Sequence, residues 1–140
     1  MREGFWYIAT PYSGYPEGID AAYEEACKAG AYLIRHGVKV FVPIAHTHPL
    51  AVIGSLDPFD HSLWMAQDEP FVDEAKGLIV VMMESWEQSR GIAEEIRKFR
   101  EQGKPIIYME WPSPYEGMYS FAPGVEGLQQ GVHPGVPAVW

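Results

Sequence analysis

The chain contains a single cysteine, Cys27, among 140 residues. No internal disulfide can brace it, which suits a reducing compartment. Long apolar runs are also missing, since none approaches the roughly 20 residues that a bilayer-spanning helix needs. The opening MREGFWYIAT lacks the extended apolar segment and small-residue cleavage site of a secretory signal. A cytoplasmic location without membrane attachment is therefore expected. Positive charge is scarce: 10 Lys and Arg stand against 19 Asp and Glu, a net charge of −9. Such a surface repels polyanions and excludes a nucleic-acid polymer as the expected partner. Five of the ten basic residues do fall between Arg90 and Lys104. Interleaved Glu94, Glu95 and Glu101 make a solvated helix face the plain explanation, and a site for one small phosphate the alternative. There is no G-x-G-x-x-G, no G-x-x-x-x-G-K-[ST] and no internal repeat, so dinucleotide and Walker-type sites have no motif behind them.

What is present is globular: 47% hydrophobic and 14% aromatic residues, at a length that suits one core. FWYIAT (5–10) is apolar, aromatic and β-branched and ends at Pro11, which predicts a buried strand. PYSGYPEG follows as a turn-rich loop. Asp20 is placed to cap a helix carrying Tyr23, Ala26, Gly30, Leu33 and Ile34 on one side and stopped by Gly37. VKVFV (38–42) predicts a second strand. IAHTHPLAVIGSLDP predicts a long loop, of the length that often serves function. A helix is predicted over about 59–75, kinked or broken at Pro70. GLIVVMM (77–83) is apolar throughout, as in a parallel sheet covered on both faces. A helix over 89–102 and a strand in KPIIYME complete the order βαβαβαβ.

That order predicts a doubly wound, flavodoxin- or Rossmann-like α/β fold. It would have a parallel sheet of four to five strands, with helices on both faces. The α/β domain is expected over 1–111. Residues 112–140 form a Pro- and Gly-rich extension whose aromatics and Trp140 favour docking on the domain or a neighbouring subunit over a free tail.

In such a sheet, ligands bind beyond the carboxyl ends of the strands. ATPYSG, PIAHTH, MESWEQSRG and MEWPSP should converge there. In the last helix, SRGIAEEIRKF places two glutamates side by side. A helical wheel clusters Ile92, Ile96 and Phe99 towards the sheet. Glu94 then lies roughly 170° away, with Arg97, Lys98 and Glu101, while Glu95 lies only roughly 70° away. A carboxylate at that apolar edge needs a use or a partner. It is either a boundary residue held by backbone N–H groups or an arginine, or a reactive group kept ionised by the helix N-terminus. On the preceding helix His61, Trp64, Met65 and Asp68 share a face by their i, i+3, i+4, i+7 spacing. Asp68 is either a surface residue or a second carboxylate across the cleft. Two carboxylates across a cleft is the arrangement that cleaves glycosidic bonds. A competing arrangement is a metal site from His46, His48 and His61 with Asp68.

YIATPYSG, WMAQD and S-R-G-I-A-E-E, in this order over residues 5–109, resemble the nucleoside 2-deoxyribosyltransferase superfamily, which includes the 2'-deoxynucleoside 5'-monophosphate N-glycosidases. The resemblance implies a nucleophilic glutamate four residues after Gly91, at Glu95, and an aspartate near the nucleobase at Asp68. It implies sugar or phosphate contacts from Ala9 through Ser13, made by Thr10, Tyr12 and Ser13. Ser89, with Arg90 and Gly91, falls where those N-glycosidases bind phosphate, although Ser89 also suits a helix cap. His46 is a further substrate contact, and Trp64 or Tyr12 would stack on the base.

The sequence departs from the family where TPYSGYPEG replaces a glycine-rich first loop. A neighbouring subunit often completes the family's site from near its C-terminus, and Tyr119 and Ser120 are the candidates here. The implied reaction is retaining. Glu95 attacks C1' of a deoxyribosyl group, and Asp68, with a raised pKa, manages the departing base's proton. Water or a second base then takes the sugar, with no metal or cofactor. A homodimer or homotetramer is implied. The competing functions are a nucleotide-binding or sensing module without turnover and an interaction protein that works through the tail.

Overall fold

The computed structural model describes residues 4–112. The expected extension, with Tyr119 and Ser120, lies outside the described residues apart from Pro112. Four strands alternate with helices: β1 (Trp6–Ala9), α1 (Ile19–Arg35), β2 (Val40–Phe41), α2 (Pro43–Gly54), α3 (His61–Glu74), β3 (Gly77–Met82), α4 (Arg90–Glu101) and β4 (Ile106–Glu110). The strands form one parallel sheet in the order β2-β1-β3-β4. The fold is thus a doubly wound parallel α/β sheet. From β1 the chain turns outward through α1 to β2, and from β3 it turns the opposite way through α4 to β4. The crevice at this reversal lies between the carboxyl ends of β1 and β3.

The period-2 alternation of β3 explains its unbroken apolar character. Ile79 and Val81 face one core with Ile8, Leu33 and Ile107, under α1. Leu78 and Val80 face the other with Tyr7, Val72, Ile92 and Phe99, under α3 and α4. At Gly77 an added Cβ would stand 2.4 Å from the Trp6 ring and 2.9 Å from the Pro105 carbonyl oxygen. Only glycine lets β3 start so close to its neighbours. Among the described residues no helix is long and apolar enough to cross a membrane.

Several local expectations are corrected. The stretch expected as a long loop is mostly α2. Pro43 occupies the start of that helix, where a missing N–H costs nothing, and Thr47 Oγ1 donates to the Pro43 carbonyl at 2.9 Å. Its apolar residues ring the helix instead of forming a stripe, so periodicity does not reveal it. The inside is partly polar: Thr47 and His48 are buried, while Ile53 is 83% exposed. α3 runs unbroken through Pro70. Pro70 and Ala66 are both exposed, so water can take the carbonyl that Pro70 cannot serve. Asp20 does not cap α1. Gly18 holds that position at φ 97°, and the Asp20 side chain reaches His48 instead. Ile34, expected on the buried side of α1, is 62% exposed. The second strand is only two residues long.

Candidate active site

Glu95 is placed by the amphipathicity of α4. Ile92 and Phe99 anchor the helix on the sheet, burying Glu95 to 8% exposure. Glu94 points to solvent and binds Arg97 at 2.9 Å. Ser89 starts the helix, its Oγ accepting from the Ile92 N–H at 3.2 Å. α3 starts in the same way, with Asp60 Oδ1 accepting from the Leu63 N–H. The Trp64 indole N–H donates to the Asp57 carbonyl at 2.8 Å, pinning that ring to the connection before α3. One turn of helix after Trp64, Asp68 is 7% exposed and faces the same cleft as Glu95.

The cleft opens at the carboxyl ends of β1 and β3. It encloses about 750 Å³ when its open, solvent-filled mouth is counted. Glu95, Asp68, Trp64 and His61 form one part of its wall, and Ser89 and Gly91 meet it from the start of α4. Thr10, Tyr12 and Ser13 enter from the loop after β1. Two buried oxygens here, Thr10 Oγ1 and Asp68 Oδ1, have no hydrogen-bond partner among the described residues. Buried polar atoms are rarely left so, and both are available to a polar ligand.

Two of the expected contacts lie elsewhere. His46 is exposed on α2, its ring beside Phe41 and Phe71. Arg90 is exposed and does not line the cleft. The wheel face on α3 also contained Met65, which does not reach the cleft lining. Nor do the three histidines converge. His48 is held by Tyr12 and Asp20, and among the described residues no group of three His, Cys, Asp or Glu is placed to hold a metal.

The residue that sequence reasoning missed is Tyr7. It is 0% exposed, and its hydroxyl donates to Glu95 Oε2 at 2.6 Å. The available signal was a phenol in the strand WYIA, on the same face as Ala9. Its hydrogen bonding also lowers the pKa of Asp68, so one hydroxyl serves both carboxyl groups. Thr47, which lines the cleft from α2, was hidden with that helix.

Burial dominates the electrostatics. Desolvation raises Asp68 to about 6, against the opposing pull of the Tyr7 hydrogen bond and the Lys98 charge. Desolvation, with the charge of Asp68 adding to it, raises Glu95 to about 8. An ionised Glu95 at neutral pH was expected from the helix N-terminus. Loss of water outweighs that field, which is worth about 0.3–1 kcal/mol at exposed positions. At neutral pH the two carboxyl groups together hold about one proton, in a pair that titrates as a unit.

Ser89 both caps α4 and lines the cleft. Ser89→Ala is expected to lower stability by about 1 kcal/mol in denaturant unfolding. Ser89→Asp should retain the cap while adding negative charge to the cleft, so that stability and ligand affinity part company.

No curated protein matches the chain. The model of one family, described as a domain of unknown function, DUF1937, matches residues 4–111, the whole sheet and every cleft residue named above. The chain belongs to the DUF1937 family.

Proposed function

We propose that the protein cleaves the N-glycosidic bond of a nucleoside or nucleoside 5'-monophosphate, with deoxyribosyl substrates foremost. Glu95 acts as nucleophile and Asp68 as the group that handles the base's proton. The observation that carries this reading is the pair of buried carboxyl groups joined through Tyr7 in one cleft. The pair holds one proton between them, and retaining glycosidic cleavage needs one charge and one proton. In the productive form the proton sits on Asp68, and the charge on Glu95 is stabilised by the Tyr7 hydroxyl. Glu95 attacks C1', the bond to the base breaks, and the Asp68 proton goes to the base. Water or a second base then attacks C1' and releases Glu95, giving hydrolysis or transfer. The resemblance of YIATPYSG, WMAQD and SRGIAEE to the nucleoside 2-deoxyribosyltransferase superfamily supports the same assignment. Trp64 and Tyr12 offer rings to the base, and Ser89 keeps an O–H free to donate to a phosphate. No cofactor enters this scheme.

The test is incubation with deoxynucleosides and their 5'-monophosphates, with and without an acceptor base, following base release by chromatography. Release that disappears in Glu95→Ala is expected; release unchanged in that variant would defeat the assignment. Tight nucleotide binding without release would instead favour a sensing module, a reading helped by the proton that Glu95 holds at rest.

A cytoplasmic homodimer or homotetramer belongs to the same proposal. Leu50, Val52, Ile53, Leu56, Phe59 and Leu63 are all at least 41% exposed on α2, α3 and their connection, an apolar surface of the kind that associates. Ile53→Lys is expected to shift the protein to a smaller species in light scattering. An unchanged mass would remove this face from the assembly.

A further inference from the structure

The wall formed by the first loop and α2 contains a second polar constellation, separate from the two carboxyl groups. His48 is 6% exposed and lies between two partners. Its Nδ1 is 2.6 Å from the Tyr12 hydroxyl, and its Nε2 is 3.2 Å from Asp20 Oδ1. Tyr23 stacks on the ring at 4.4 Å, and Tyr12 meets it edge-on at 5.6 Å. Three elements therefore fix one imidazole, and only Tyr12 continues into the cleft.

The direction of the Tyr12–His48 hydrogen bond follows from what the groups around the ring can offer. The Asp20 carboxylate, 3.2 Å from Nε2, attracts a ring proton to that nitrogen, since a carboxylate offers only lone pairs. With one proton on the ring, Nδ1 is then a bare acceptor, and the Tyr12 O–H must donate to it. The phenol proton is committed to His48, and only oxygen lone pairs remain to face the cleft.

We propose that Asp20 and His48 are positioning residues that make Tyr12 a hydrogen-bond acceptor in the cleft, and that this wall selects a substrate group carrying a neutral donor, a hydroxyl or an N–H, over an anionic one. A phosphate brought here would meet oxygen lone pairs, with the Asp20 carboxylate behind them. Burial and the Asp20 charge both raise the Tyr12 pKa, which keeps the phenol protonated. The selectivity deepens the glycosidic reading and rests on it for the kind of substrate. The hydrogen-bond direction does not depend on it.

The first measurement is the 15N and 1H correlation of the His48 ring in the labelled full chain. A proton on Nε2 with Nδ1 bare is expected, with that bias lost in Asp20→Ala. Asp20 is 86% exposed, so this variant should keep the fold. The opposite tautomer, or a bias indifferent to Asp20, would overturn the proposal.

The second measurement is calorimetric binding to the Glu95→Gln variant, with and without Tyr12→Phe. The ligands are deoxynucleosides, their 5'-monophosphates, and analogues each lacking one hydroxyl or amine. Tyr12→Phe keeps the ring and its packing. It is expected to weaken binding about 10-fold, except for the analogue whose missing donor faced Tyr12, where the effect should vanish. A uniform loss across the series, no loss, or no binding at all overturns the selectivity. Binding with the expected pattern but without base release by the wild type would sink the glycosidic reading and leave this one standing.

Discussion

Replacing Glu95 with Gln is expected to remove base release and, above neutral pH, to make the protein more stable than the wild type. The loss of activity follows from removing the proposed nucleophile, and a residual rate at the limit of detection is the expected outcome. The gain in stability follows from burial. Glu95 titrates at about 8 in the folded protein against an ordinary 4.5. Between those values the unfolded chain has released a proton that the folded chain still holds, so stability falls as pH rises through this window. Each pH unit in the window is worth about 1.4 kcal/mol, and the full interval from 4.5 to about 8 corresponds to a penalty on the order of 5 kcal/mol. Asp68 adds a smaller loss of the same sign between 3.8 and about 6. Glutamine carries no charge at any pH and escapes the Glu95 part of the penalty. Thermal melts should therefore coincide for wild type and variant near pH 5 and separate progressively towards pH 8, with the variant higher. Parallel curves over this range would show that Glu95 is not a strongly desolvated acid in the folded protein.

Tyr7→Phe should leave the fold intact and change the chemistry. The ring contacts of Tyr7 with Phe41 and Phe99 do not need the hydroxyl, so the core stays filled. What is lost is the hydroxyl that donates to Glu95 at 2.6 Å and whose hydrogen bonding lowers the pKa of each carboxyl group. A hydrogen bond to a charged group contributes about 1.5–3 kcal/mol, which converts to a fall in kcat/KM of roughly 10- to 150-fold. The pH profile is the sharper readout. For the wild type, kcat/KM should form a bell with limbs near 6 and near 8, the apparent values of the coupled pair. Without the Tyr7 hydroxyl both limbs should move to higher pH, because the one O–H that the two anions share is gone. A lowered rate with unmoved limbs would mean that Tyr7 contributes packing only.

How much of the site could be read from residue order differs between α4 and α2. Ile92, Ile96 and Phe99 recur at helical spacing with charges between them, so the wheel alone turns Glu95 inward and Glu94 outward. The same reasoning joins His61, Trp64 and Asp68 on α3. α2 lacks such a signal. In PIAHTHPLAVIG the apolar residues ring the helix, and the buried side carries Thr47 and His48 while Ile53 stands in solvent. Hydrophobic periodicity fails when the inward face lines a cleft instead of a core.

The sequence by itself determined the elements whose burial follows a simple period: the unbroken apolar β3, the amphipathic α4, and so the doubly wound order and the crevice where ATPYSG and SRG meet. Contacts between distant residues were left to the tertiary structure. Tyr7 and Glu95 are 88 positions apart, and Tyr12 and His48 are 36 apart. No local pattern records such pairings, because they arise when sheet order and helix packing bring polar groups into one dry volume. That same dryness decided the protonation of Glu95. Its pKa is set by how much water the assembled fold removes, and burial outweighs the helix N-terminus that the sequence alone could place beside it.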